Sequence, residues 1–317
     1  MPLCFLWMKI ASDNFRLINT QTQEEYWAFV RDKICEHWLR YPLEGEVSDR
    51  KLECESNLLI LLRKLREGLL AAKREDEFAL NVYECSLCLG VIFRSPIHAT
   101  SPVSRLPSLY LSQKQRDIPS PNDLSSEAIS ERALTTSVIS LLHHLNENYP
   151  SQVSYFSHLE SLPTSCFDQK SHLFVWLLSL RSAMQSRNYV KFESLTQTHF
   201  LSSMFKDIRG FAVADTLQIA FNIHEEAIRV LIDMLRAKMR EDAWKTLRTA
   251  YREVSFASDS RDWLSRTVML QSVSRSHRNK RTDVDLTDWI NNKVKDGYLR
   301  AKEGSENRWT ICRTNSK

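Results

Sequence analysis

The chain has 317 residues, 43% of them hydrophobic and 26% charged, enough to bury a sizeable core and too apolar for a disordered protein. Only 6 glycines and 9 prolines occur, which argues against Gly-rich phosphate loops and many-turned all-β folds. The net charge of +4 is unevenly placed: Ser274 to Lys317 holds 11 Lys/Arg against 6 Asp/Glu, the rest of the chain 32 against 33, so the polyanion-attracting excess sits at the C-terminal end.

In chain order, Met1 to Ile10 is apolar but short. It has no leading basic residue and no small-residue cleavage site, so no signal peptide is expected. No run approaches the length of a membrane span. The 7 cysteines are odd in number and scattered, and no Asn-x-Ser/Thr acceptor occurs, which fits a reducing compartment, cytosol or nucleus. Residues 1–94 read as an N-terminal helical region. Leu58, Leu61, Leu62, Leu65 and Leu69 form a helical stripe, followed by a second with Phe78, Val82, Cys85 and Leu89. Five prolines between Pro96 and Pro121, among serines, predict a loop or linker over 95–122, with one helical turn at Leu106–Leu111.

Residues 123–273 return to helical periodicity. The stripes are Leu134–Leu145, a short helix from Ser151 to Leu162, Leu173–Met184, Val190–Phe200, a segment around Phe211–Ile219, Ile228–Met239, Trp244–Val254 and Trp263–Val268. Consecutive helices joined by short turns pack as stacked antiparallel pairs, so the fold class is all-α. Residues 274–317 change character. Leu286, Trp289, Ile290 and Val294 share one helix face, and Gly297 suits its C-cap. Two short alternating runs, Tyr298–Ala301 and Arg308–Cys312, flank a Gly-containing loop and predict a β-hairpin. Helix then hairpin is the closing half of a winged helix.

Helical hairpins ending in a winged helix are the architecture of PCI-type proteins. The middle of the chain resembles their GANP branch, the germinal-centre-associated nuclear protein and its relatives. The residues that carry the resemblance are Leu180 and Ala183, in a Leu-x-x-Ala helix end, then Asn188, Tyr189 and Phe192, in Asn-Tyr-x-x-Phe. Arg187 stands where that branch usually has Gly. Ala243–Trp244 through Arg252 resembles the next pattern of the family, and the resemblance runs from about Glu127 onward. It implies a non-catalytic scaffold subunit of a nuclear complex linked to transcription and mRNA export, with other subunits as partners, RNA or DNA as a further one, and the nucleus, with the cytoplasm second, as location. The alternative is a PCI-type subunit of the proteasome lid, the signalosome or a translation initiation factor. A DNA-binding winged-helix regulator is a further alternative.

Read as plain physics, Asn188 is a helix cap, and Tyr189 and Phe192 pack back on Leu180 and Met184. Cys85 and Cys88 form a Cys-x-x-Cys inside an apolar helix, without the second ligand pair that zinc needs, and read as buried inert thiols. His143 and His144 read as a solvated or half-buried pair. His224-Glu225-Glu226 reads as a helix start, its carboxylates favoured by the helix dipole. No Gly-x-Ser-x-Gly, Walker loop or dinucleotide fingerprint is present, so neither an enzyme, a cofactor, a metal site nor a small-molecule substrate is expected.

The tract Arg275, Arg278, Lys280 and Arg281 places four cations within seven residues. It has three readings: a solvated linker, a phosphate-binding site and an import signal. Lys293, Lys295, Arg300 and Arg308 add positive charge on the following helix and hairpin. Asn291 and Asn292 suit backbone contacts more than a base code. Trp289 and Trp309 are open to two roles, core residue or partner anchor.

Overall fold

The computed structural model describes residues 17–116, 124–164, 170–205, 221–256, 258–275, 285–305 and 307–312. These are mostly helical, with one three-stranded sheet. They divide into two compact units, one within Met1–Phe174 and Asp207–Leu231, the other within Val175–Lys206 and Ile232–Lys317.

In the first unit, α1 spans Thr20–Arg40, capped by Asn19, whose Oδ1 accepts from the Gln21 N–H. Helix α2 is Asp49–Ala71, with Ser48 Oγ accepting from Lys51 N–H, and Leu58, Leu62, Leu65 and Leu69 buried as their spacing predicts. Helix α3, Glu77–Ile92, begins at Asp76, whose side chain caps Ala79 N–H. Every residue from Val82 to Phe93 is buried. An all-round buried helix is a central one, and α3 packs against α2 and three later helices. Cys85 and Cys88 lie inside it as free thiols, burial pushing Cys85 up to about 12 and Cys88 well above its ordinary range.

The expected linker over 95–122 is corrected. Pro96–Val103 is helix α4 and Leu106–Arg116 is helix α5, both packed on α3, with Ala99, Leu106, Leu109 and Tyr110 buried. Pro96 opens its helix and Pro107 sits in the first turn of the next. The missing N–H matters little at those positions, so these prolines mark helix starts. Pro119 and Pro121 lie outside the described residues. At Gly90 helix α3 meets α4 backbone: a Cβ there would stand 2.8 Å from Ala99 N.

Helix α6 is Leu124–Glu147 and α7 is Val153–Ser161. His143 is buried rather than half-solvated, its Nε2 at 2.8 Å from Thr100 Oγ1, because its helix face turns toward α4. His158 of α7 is also buried, its Nε2 at 2.8 Å from Ser140 Oγ, and desolvation pulls its pKa down to about 4.

Helix α8 is His172–Gln185, and its residues from Val175 onward belong to the second unit. Helices α9, Tyr189–Leu195, and α10, Thr198–Met204, follow. They divide the single segment expected over Val190–Phe200, because Gln197 is extended between them. The segment expected around Phe211–Ile219 lies outside the described residues. Helix α11 then runs unbroken from Ile223 to Ala250, where two helices were expected. It gives Ile223–Leu231 to the first unit and the rest to the second.

Past Ala250 the helical expectation fails. Glu253–Ser255 is strand β1, because Val254 is needed in a core that a continued helix would miss. Helix α12, Ser258–Thr267, and α13, Leu286–Lys295, lead to β2, Leu299–Ala301, and β3, Arg308–Ile311. The sheet order is β1-β3-β2, antiparallel throughout, with Val254 opposite Trp309 and Leu299 opposite Ile311. Trp244, Leu247, Val254, Phe256, Leu264, Leu286, Trp289, Ile290, Leu299 and Ile311 belong to one buried cluster beneath it. Gly297 ends α13 at φ +74, as its position predicted.

Candidate nucleic-acid interface

The segment that leads into the basic tract is irregular, so its backbone groups need partners that no helix supplies. Helix α11 supplies them from one face, at spacings of three and four. The Asp233 carboxylate accepts from Ser272 Oγ at 2.6 Å, Val273 N–H at 2.8 Å and Ser274 N–H at 3.0 Å. Arg236 donates to Gln271 O at 3.2 Å and to Thr196 Oγ1 at 2.6 Å. Arg240 donates to Val268 O at 2.9 Å and Met269 O at 2.6 Å. All three side chains are buried. Desolvation pushes Asp233 up, against the pull of the hydrogen bonds it accepts, and lowers Arg236 to about 10. This clasp holds 268–274 and hands the chain to Arg275, which is exposed.

Sequence reasoning missed the clasp. Its signal is present: Asp233, Arg236 and Arg240 recur at helical spacing beside Leu235 and Met239, and charges at such positions are paired.

Of the predicted basic residues, Arg275, Lys295, Arg300 and Arg308 are exposed, while Arg278, Lys280 and Arg281 lie outside the described residues. Lys293 does not belong with them. It is buried, its Nζ 3.4 Å from Glu241 and 5.8 and 6.0 Å above the rings of Trp289 and Trp244. A Lys stem at this position covers apolar rings, and its charge is already matched. Arg300 pairs in register with Thr310, and Arg308 with Ser255. Alternation puts Arg300 and Arg308 on the sheet face opposite Leu299 and Ile311. On that face Glu253 accepts from Lys302 at 2.7 Å, and this bond, with Arg308 nearby, holds its carboxyl below the usual range. The exposed side of α13 carries Thr287, Asp288, Asn291, Asn292 and Lys295, one acid against one base.

Of the two roles open to Trp289, the structure gives it the core: it is buried, edge-on to Trp244 at 5.0 Å. Trp309 is half-buried, 6.2 Å from Phe256, and packs on the same cluster.

The residues carrying the family-like motif form one corner. Leu180, Ala183 and Phe192 are buried. Arg187 N–H donates to Met184 O at 3.2 Å and Asn188 N–H to Ala183 O at 2.9 Å, a Schellman end for α8. Arg187 therefore sits at φ +52, in the left-handed region that favours Gly. Asn188 Oδ1 then accepts from Lys191 N–H at 3.0 Å and caps α9. Tyr189 is half-buried, its hydroxyl 3.1 Å from Thr246 Oγ1.

Among the described residues no cluster of His, Cys, Asp or Glu could hold a metal ion, and no helix is long and apolar enough to cross a membrane. No family model and no curated protein matches the sequence.

Proposed function

We propose that the chain is a non-catalytic scaffold subunit of the GANP and PCI kind, working in a nuclear complex linked to transcription and mRNA export. In this reading its stacked helices form a PCI-like solenoid and its C-terminal part a winged helix. The observation that carries the reading is the connection helix, β1, helix, helix, β2, β3 with sheet order β1-β3-β2 over one core, the order in which a winged helix is wired. The corner at Arg187–Asn188 supports the family resemblance, because its left-handed residue gives a reason for the Gly that the GANP branch usually has there.

The basic tract after the clasp, with Arg300 and Arg308 on the sheet face, meets RNA phosphates. The balanced face of α13 suits contact without sequence preference better than the reading of bases. Reversing Arg275, Arg278, Lys280 and Arg281 to Glu should abolish binding to single-stranded RNA while the far-ultraviolet circular dichroism stays unchanged. Each lost phosphate contact should flatten the log–log salt slope by about 0.7. Unchanged binding removes the tract from the interface.

The same balanced face supports the second reading, a lid, signalosome or initiation-factor subunit whose winged helix meets a neighbour. Affinity purification with and without nuclease separates the two. Export-complex partners support the first, lid, signalosome or initiation-factor subunits the second, and a chain recovered alone refutes both.

A further inference from the structure

The first unit buries a cation that nothing in the proposed function uses. Arg66 of α2 is 5% exposed. Its Nη1 donates to Ser101 Oγ at 3.1 Å, its guanidinium lies 6.0 Å from the ring of Tyr83, and its Nε is buried without a hydrogen-bond acceptor. No carboxylate stands within ion-pair distance of it among the described residues. A buried guanidinium ordinarily has a counter-charge, because stripping its water is costly.

Arg66 lines a cleft of about 600 Å³ between α2 and the α4–α5 segment. Arg63, Arg105 and one acid, Glu67, line it too, with the Ser101 hydroxyl, the Ser104 hydroxyl, which donates to Ser101 O, and the half-buried His98. Arg63 is matched by Glu67 at 2.8 Å and Arg105 by Glu75 at 2.6 Å, so Arg66 is the charge left over. His98 reports the same field: burial, then Arg66 and Arg63, hold its pKa below the ordinary value. Exposed Leu70 and Ile97, 56% and 81% accessible, flank the cleft.

We infer that this cleft is an anion site for a phosphomonoester carried on an apolar body, with Arg66 as the fixed cation at its floor. The lining suits a phosphate ester, whose three terminal oxygens can meet Arg66, the rim arginine Arg63 and the Ser101 hydroxyl from different sides, more than a planar carboxylate. The volume is that of a small-ligand pocket and exceeds what inorganic phosphate alone would fill. Leu70 and Ile97 are placed to cover the apolar part. This inference is independent of the nucleic-acid reading, since every residue in it belongs to the first unit.

The experiment is a titration of the full chain with phenyl phosphate, inorganic phosphate and phosphoserine at constant ionic strength. It is followed by calorimetry and by the imidazole resonance of His98. Phenyl phosphate should bind in the micromolar to low millimolar range and more tightly than inorganic phosphate, and the bound anion should raise the His98 pKa. Arg66→Gln should abolish binding. Because that variant also loses its bond to Ser101, Arg63→Glu, on the exposed rim, gives a second reading and should weaken binding by about tenfold or more. Phosphoserine matching phenyl phosphate would point to a modified side chain as the source, and phenyl phosphate binding alone to a small aromatic ester. No heat and no His98 shift up to about 10 mM of any probe, where a site of useful affinity would be filled, would overturn the inference. So would binding that neither variant changes.

Discussion

Helix α3 and the inward face of the later part of α11 are both buried, yet they are built on opposite plans. Helix α3 is apolar on every side, and its one buried acid, Glu84, meets side chains: Tyr110 Oη donates to it at 2.8 Å and Arg132 pairs with it at 3.0 Å. Helix α11 buries Asp233, Arg236 and Arg240, and most of their bonds go to backbone groups of 268–274. The neighbours explain the difference. A helix has satisfied its own N–H and C=O groups, so another helix can meet it with hydrocarbon. An irregular segment brings orphan backbone groups, and a buried helix beside it must answer them with polar side chains. Charge in a buried helix is therefore a sign of what packs against it.

The difference can be broken at its strongest point first. Asp233→Ala leaves two backbone N–H groups and the Ser272 hydroxyl without their acceptor and should cost about 3–5 kcal/mol in urea unfolding, as for a broken buried charge network. Arg132→Met should cost a similar amount, because it leaves Glu84 buried without its counter-charge. Adding Glu84→Leu should return most of that loss, since a side-chain pair can be replaced by hydrocarbon. No second substitution can rescue Asp233→Ala in this way, because two of its three partners are main chain.

Acid separates the two units next. His158 and His224, both in the first unit, are held down to about 4 from an ordinary 6.5, chiefly by burial. Their folded values are depressed, so the stability they contribute is complete above pH 6.5 and is lost as the pH falls toward 4. The loss is about 2–3 kcal/mol for each. Asp233, raised by burial, holds its proton more tightly when folded and adds no such loss. Hydrogen exchange at pH 5 should find the first unit opening before the second.

Two glycine-related changes give the smaller effects. Gly90→Ala, with its new methyl against Ala99 backbone, should destabilise by about 1–3 kcal/mol. Arg187→Gly should stabilise by up to about 1 kcal/mol, since the left-handed backbone penalty exceeds the added freedom of the unfolded chain. Both are read as shifts in the urea midpoint.

Much of this architecture is written in periodicity. The leucine stripe of α2, the cap at Asn188 and the stop at Gly297 all follow from spacing and residue type, because those signals are local. What escaped is not local. Tyr251 and Val254 continue the phase of α11, and only the pairing of Val254 with Trp309, far along the chain, draws Val254 into a strand. Pro96 and Pro107 imitate a linker because a helix start and a loop use proline for the same reason, its missing donor. The clasp was hidden by the habit of reading charge as surface. Lys293 was misplaced by the same habit: Trp289 stands four residues before it on the same helix, but the second indole, Trp244, is far away in sequence.

The small sheet has one consequence for assembly. With the order β1-β3-β2, its borders are β1 and β2, each three residues long. A border that short offers too few free main-chain groups to template another strand, which protects the protein from edge-to-edge self-association. Any molecule that docks on this sheet must therefore approach its broad side and be recognised by side-chain chemistry, so selectivity there can be retuned by single substitutions without rebuilding the backbone.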